Sequence, residues 1–324
     1  MPNYSPMKRL LLIALAPVFL IACEQVEQLP ADEVLKRSAV ASNDLLSASF
    51  DLKGTYAFEE ADRFSVNGNL EMEGVFQRKG EDVAGLIKTN ARFPKGEKVI
   101  SADIEAEIIS ITGSDPFVYL NKLAVGPDFP LFSPDIVERL DGQWWRIPAD
   151  NASRPEQSIS PDPQLLRIQS QVVDVVSDHG FSSVNRRLAY HYEVIIDPEK
   201  LKAYIETLSS ELENEMDPEA IETLISGMEA RGEIWIDAET FYLNRIRWTI
   251  APFNLTESLN MALSFTITLS NINSAPDIKI PEGAKPFSLE NLLMTEVQED
   301  DLSTLPLSIE DAIIRKIVDG DTSP

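Results

Sequence analysis

From Ser49 onward, apolar residues recur at every second position. Phe50, Leu52, Tyr56 and Phe58 share one parity, with Gly54 among them where a strand can bend. Phe64, Val66, Leu70 and Met72 repeat the pattern, while Asn69, Glu71 and Glu73 take the other parity. Side chains two apart on a strand return to the same face, so these runs read as strands with one apolar side. Further extended stretches follow at 82–93, 99–112 and 117–123, separated by the turn signals Pro94-Lys95-Gly96 and Gly113-Ser114-Asp115-Pro116. Such a chain is committed to a meander of long antiparallel strands whose apolar face must be covered.

The cover is available as helices. Asp32 opens a helical pattern carrying Val34, Leu35, Ala39, Leu45 and Leu46. Asp162-Pro163 predicts a helix to about Asp178, with Leu165, Leu166, Ile168, Val172, Val173 and Val176 as its apolar side and Gly180 as its end. Asp197-Pro198 predicts a second, with Leu201, Tyr204, Ile205, Leu208 and Leu212, and Asp217-Pro218 a third, with Ile221, Leu224, Ile225 and Met228. Proline pre-sets φ at a first helical turn, where its missing N–H costs nothing.

Between and after these helices the strand pattern returns. Asp141-Gly142 turns into Gln143-Trp144-Trp145-Arg146-Ile147, whose adjacent tryptophans should point to opposite sides, and 149–163 reads as a loop. Residues 185–196 carry Leu188, Tyr190, Tyr192, Val194 and Ile196 on one parity. Strands at 232–237, 240–251 and 259–273 close the sheet, with Ala238-Glu239 as the tight turn of a hairpin and Met261, Leu263, Phe265, Ile267 and Leu269 alternating in the last. A proline-bearing exit at 276–286 and an acidic tail with one amphipathic piece, 308–318, follow. The fold class is α+β: one domain over 31–286 with a helical insert at about 162–230, then a tail over 287–324.

The amino terminus carries a separate instruction. Lys8 and Arg9 precede a 13-residue apolar run from Leu10, which ends in Leu20-Ile21-Ala22-Cys23. A basic start, a short apolar core and small residues before a processing point make an export signal. At about 1.5 Å per residue the run covers about 20 Å of a ~30 Å hydrocarbon layer, too little for a comfortable span. The tetrapeptide resembles the lipobox of bacterial lipoproteins. That resemblance implies cleavage between Ala22 and Cys23, a diacylglyceryl thioether on Cys23 and usually a further acyl chain on the new amino terminus. Two or more chains anchor a protein stably where one holds it only marginally. Residues 1–22 are then the signal peptide, whether translation starts at Met1 or Met7, and 23–30 a lipidated tether. The competing readings are an uncleaved anchor and an ordinary secreted protein cut after Ala14-Leu15-Ala16, the latter opposed by Pro17 directly after that cut.

Charge narrows the partners. Residues 1–22 hold Lys8 and Arg9 and no acid, so the remaining 302 residues carry 26 basic and 53 acidic side chains, a formal charge of −27. That surface repels nucleic acid and anionic headgroups, so membrane residence falls to the lipid anchor. Cys23 is the only cysteine, and its acylation leaves no thiol for disulfides, redox chemistry or zinc.

Several stretches together resemble the LolA/LppX-type (LolA/LppX-LprG-like) family of bacterial lipoproteins and lipoprotein carriers. They are the lipobox, the helix from Asp32 running straight into Ser49-Ala-Ser-Phe-Asp-Leu-Lys-Gly, the Asp141-Gly142-Gln143-Trp144-Trp145 strand, Glu233-Ile-Trp-Ile-Asp237 with its hairpin, and Asp277-Ile-Lys-Ile-Pro281. The resemblance spans most of 23–286. It implies a curved antiparallel sheet, a half-barrel, whose concave face is covered by helices, with acyl chains commonly held in the apolar space between. The inward candidates are Phe50, Tyr56, Phe58, Phe64, Tyr190, Tyr192, Phe265 and Ile267, each a core side chain or a ligand contact.

No catalytic set stands beside them. The chain has two histidines: His179 is expected at a helix end, bonding the last carbonyls, and His191 on the solvent parity between Tyr190 and Tyr192. There is no phosphate-cradling glycine loop, zinc spacing, serine elbow or EF-hand loop. The expectation is therefore a non-enzymatic, cofactor-free, lipid-anchored envelope protein that binds or transfers a lipid or other amphiphile. The alternative is an interaction or assembly module of the same fold with a filled core; a third is an envelope sensor plugged by 309–318. Glu24 after the cysteine is not the aspartate associated with inner-membrane retention, which favours the outer membrane in a host with two.

Overall fold

The computed structural model describes residues 28–60, 64–95, 98–126, 138–148, 172–211, 229–254 and 259–288. The expected export signal with Cys23, most of the expected helical insert with its third helix, and the tail with the amphipathic piece expected there lie outside them. The chain divides into two units, Met1–Pro30 and Ala31–Pro324, and every described helix and strand belongs to the second.

Twelve strands form one open, curved sheet. Helix α1 (Ala31–Ser42) leads into β1 (Ala48–Glu60), then β2 (Phe64–Gln77), a 3-10 turn at Arg78–Gly80, β3 (Asp82–Lys95), β4 (Lys98–Ser110), β5 (Phe117–Val125) and β6 (Trp144–Arg146). The chain resumes with β7 (Val173–Val184), β8 (Arg187–Ile196), α2 (Pro198–Glu211), β9 (Ala230–Asp237), β10 (Leu243–Asn254), β11 (Leu259–Ser270) and β12 (Lys285–Pro286). The order across the sheet is β12-β6-β5-β4-β3-β2-β1-β11-β10-β9-β8-β7. One meander therefore steps outward from β1, a second starts at the far edge, and the two meet where β1 pairs with β11 from Ser49↔Ser270 to Glu60↔Leu259. Every pairing is antiparallel except β12 with β6.

The register carries one apolar face across most of the sheet. Leu52 stands opposite Met72 and Ile267, Ile267 opposite Ile246, and Ile246 opposite Ile234. Ile234 stands opposite Tyr192, and Met72 opposite Ile87, which faces Ala106 on β4. This is the period-two reading of the sequence, carried through strand by strand. The other face bears the charges, including Asp51, Lys53, Glu71, Glu73, Lys88 and Glu105.

Local chemistry sets the ends of elements. Asp197 caps α2 as expected: its Oδ1 accepts from the backbone N–H of Glu199 at 2.9 Å and of Lys200 at 3.1 Å. Those bonds, the Lys200 N–H foremost, hold its carboxyl below its ordinary value. Helix α1 stops at Ser42, short of the apolar positions Leu45 and Leu46. Asn273 ties this exit to the end of β11: its Oδ1 accepts from the N–H of Leu46 at 2.7 Å and its Nδ2 donates to the carbonyl of Asp44 at 2.9 Å.

Three expectations are corrected. The helix expected to run to Asp178 gives way after Val172 to strand β7. Val173, Val175 and Val176 are β-branched and fit either state alone; pairing Val173–Ile196 and Val175–Val194 with β8 decides for the strand. Gly180 ends no helix: at φ +74° it occupies an irregularity between Asp178 and Phe181, where its N–H donates to Asp178 Oδ1 at 2.7 Å. The β9–β10 turn is longer than Ala238-Glu239, because Asp237 gathers it. Its buried carboxylate accepts from the N–H of Thr240 at 2.8 Å, the Thr240 hydroxyl at 2.8 Å and Asn244 Nδ2 at 3.2 Å, and Phe241 takes φ +60°. Trp144 and Trp145 do diverge, toward Tyr119 and Phe287 respectively.

Candidate functional site

The structure brings seven of the eight inward candidates onto the apolar face with their side chains described. Phe64 lies in β2 opposite Glu60, its side chain outside the described residues. Several aromatics lie flat across glycines on neighbouring strands. A Cβ on Gly74 would meet Phe50 Cζ at 3.0 Å, one on Gly232 would meet Trp248 Cε3 at 2.6 Å, and one on Gly68 would meet the Tyr56 hydroxyl oxygen at 2.6 Å. The missing side chains let bulky rings lie against the sheet. Tyr56 reaches past Gly68 to Thr89, with hydroxyls 3.1 Å apart, and its ring is 5.8 Å from that of Phe58.

The face is packed unevenly. Over β8–β10 it is closed: Tyr190, Tyr192, Val194, Ile234, Ile236, Ile246 and Trp248 are all buried. Tyr190 stacks at 6.4 Å on Tyr192 and at 6.3 Å on Phe241, and Arg37 of α1 sits 5.1 Å above the Phe241 ring. Tyr190 and Tyr192 thus belong to the packed wing. Over β1, β2, β11 and the middle of β3, by contrast, Leu52, Tyr56, Phe58, Val66, Leu70, Met72, Ile87, Leu263, Phe265 and Ile267 are half-buried. Where β1 enters the sheet the same face closes again, with Ala48, Phe50, Phe76 and Leu269 buried.

Two buried polar groups in the packed wing behave oppositely. The Tyr192 hydroxyl has no hydrogen-bond partner among the described residues, and burial, then the charge of Asp178, pushes its pKa up. Burial also pushes the Asp237 carboxyl up, but the Arg187 guanidinium, bonded at 2.5 and 3.0 Å, and the Thr240 donors outweigh it. Asp237 is held well below the usual carboxylate range.

Hollows bounded by described residues open at several places. One of about 580 Å3 lies among Ala31, Leu35 and Ala39 of α1, Val173 and Val175 of β7, and Lys200 of α2. Another of about 490 Å3 is bordered by Tyr56, Asn69, Asn90, Ile250 and Leu263. Tyr56 is the inward candidate that borders it.

The histidines occupy a place the sequence reading missed. His179 is on strand β7, not at a helix end, and its ring is 4.7 Å from that of His191. His191 has the expected parity, away from the apolar face, yet stacks on Trp235 at 4.4 Å and donates from Nε2 to Glu233 at 2.7 Å, leaving its side chain 18% exposed. His179 lies 4.0 Å from Glu193. Burial raises the Glu233 carboxyl, but the His191 bond and the Arg247 charge carry it below its ordinary value. Cross-strand pairing joins these residues from positions 179, 191, 233 and 247, and no local motif announces it. Among the described residues no group of three histidine, cysteine, aspartate or glutamate side chains is arranged to hold a metal ion. No helix among them is long and apolar enough to cross a membrane.

No protein-family model and no curated protein matches the sequence. Solved structures similar to this chain include the Mycobacterium tuberculosis lipoprotein LppX, at 10% identity and a TM-score of 0.32, covering 77% of this chain and 98% of that one. LprF from Mycobacterium bovis is similar at 15% identity and a TM-score of 0.33, covering 79% and 97%. A LolA superfamily protein from Nitrosomonas europaea is similar at 6% identity and a TM-score of 0.19, covering 76% and 96%.

Proposed function

We propose that this chain is a lipid-anchored protein of the bacterial cell envelope that binds or transfers a lipid or other amphiphile on the apolar face of its sheet. The observation that carries the reading is the half-buried stretch of that face over β1, β2 and β11. Large apolar side chains such as Leu52, Phe58, Met72, Phe265 and Ile267 gather there on one surface. Acyl chains would gain affinity by removing that surface from water, at about 25 cal/mol per Å2. The anchor rests on Leu20-Ile21-Ala22-Cys23, with 1–22 as the removed signal and Cys23 as the acylated residue. Catalysis has no part in this reading.

Native mass spectrometry of the soluble form, residues 24–324, purified from its own host, tests it. A lipid-sized adduct lost on organic extraction is the expected result. A clean apo mass with no uptake of a fluorescent acyl probe would transfer the reading to the interaction module, which the closed wing over β8–β10 favours. The anchor is tested separately: Cys23→Ser should release the protein from membranes.

A further inference from the structure

We infer that the polar face of β7–β10 carries a second binding site, for the phosphate group of a phosphate-bearing ligand, on the side of the sheet away from the proposed lipid surface. The hollow there measures about 460 Å3. Three arginines, Arg231, Arg245 and Arg247, stand on two adjacent strands at alternating positions, in a chain of net charge −25.

The register fixes their relations. Thr249 is opposite Arg231, and Arg247 is opposite Glu233, so Arg231 and Arg247 are diagonal neighbours with Thr249 beside both. Arg231, Arg247 and Thr249 all line the hollow. Arg247 is oriented by Glu233, 2.9 Å from its Nη1, and rests 5.7 Å over the Trp235 ring. Arg231 is exposed and has no side-chain partner among the described residues. Two guanidiniums and a hydroxyl, one of them pre-oriented, form a fork suited to the tetrahedral oxygens of a phosphate.

The two carboxylates of the hollow do not cancel this. Glu193 and Glu233 face each other directly across β8 and β9, an arrangement of like charges that costs stability. Glu233 is held by bonds to His191 and Arg247, and Glu193 lies 4.0 Å from the His179 ring nitrogen. Arg231 is the guanidinium left to the ligand.

Isothermal titration of the full chain tests this, with inorganic phosphate and, separately, with dihexanoyl phosphatidic acid below its micelle concentration. Saturable binding is expected, weakened about tenfold or more in Arg231→Gln, the order of one lost charge-assisted hydrogen bond. Arg231→Lys should lose less, and Lys53→Gln, on the same face at β1, should lose nothing. Binding of inorganic phosphate identifies the free anion as sufficient. Binding of the short-chain lipid alone identifies a phospholipid headgroup. Absence of saturable binding to both, or affinity indifferent to Arg231→Gln in a variant with an unchanged melting temperature, overturns the site. Neither result bears on acyl-probe uptake at the apolar face.

Discussion

Tyr56 lies across Gly68, its hydroxyl oxygen 2.6 Å from where a Cβ on Gly68 would stand, while the carbonyl oxygen of Asn90 lies 2.0 Å from the same point. The glycine is therefore required by a ring on one strand and a backbone on another. Overpacking of this kind costs about 1–3 kcal/mol where neighbours can shift, and a backbone carbonyl shifts poorly. Gly68→Ala should lose about 3 kcal/mol in urea unfolding. Gly126→Ala, whose Cβ would meet nothing closer than 3.7 Å, should cost much less.

The Asp237 carboxylate, buried and holding both Arg187 and the β9–β10 turn, makes a second prediction. Removing one partner of a buried ion pair leaves the other uncompensated, at a cost of about 3–5 kcal/mol. Arg187 is half exposed, so Asp237→Asn should fall at the low end, about 3 kcal/mol at pH 7. Circular dichroism melts check it.

The acid limb of stability follows from the same groups. Asp197, Glu233 and Asp237 are all held below their ordinary values in the fold. Their contribution is complete above the unfolded carboxylate range, about pH 4–5, and is lost as pH falls through the depressed folded values. Melting temperature should therefore fall steeply below about pH 4. Asp237→Asn should flatten that limb; an unchanged slope would show that Asp237 carries no linkage.

Tyr192 separates packing from ligand contact. A buried hydroxyl without a partner costs about 1–3 kcal/mol, so Tyr192→Phe should raise stability by about 1 kcal/mol. Acyl-probe uptake should not change, because Tyr192 is in the closed wing. Reduced uptake would place Tyr192 at the ligand.

The two wings of the apolar face make a paired prediction. Ile236→Ala, in the closed wing, should cost about 3 kcal/mol and leave probe affinity unchanged. Phe265→Ala, in the half-buried wing, should cost less in stability and weaken probe binding. The reverse pattern would move the proposed lipid surface to β8–β10.

How much of this was legible from residues alone can be judged element by element. The alternation at Phe50–Phe58 and Met261–Leu269 named the apolar face correctly, because period two is a property of the backbone itself. Asp197-Pro198 announced α2, because a cap bonds to N–H groups two and three residues away. The segment from Val172 misled: its valines satisfy a helix or a strand locally, and β8 decided between them. Histidines 179 and 191 read as unrelated, since strand pairing with an irregular register, and nothing in their spacing, sets their rings side by side.

The order of residues was enough to settle the parity of each long strand, the cap of α2, the acidity and the apolar run ending at Cys23, all of which depend on neighbours within a few positions. It took the folded chain to settle that β1 closes on β11, that the apolar face is packed at one wing and half-buried at the other, and that His179, His191, Glu233 and Arg247 share one surface. These depend on which strands pair and in what register, and that choice is made by the summed burial of residues far apart in the chain, as where Ser49 meets Ser270.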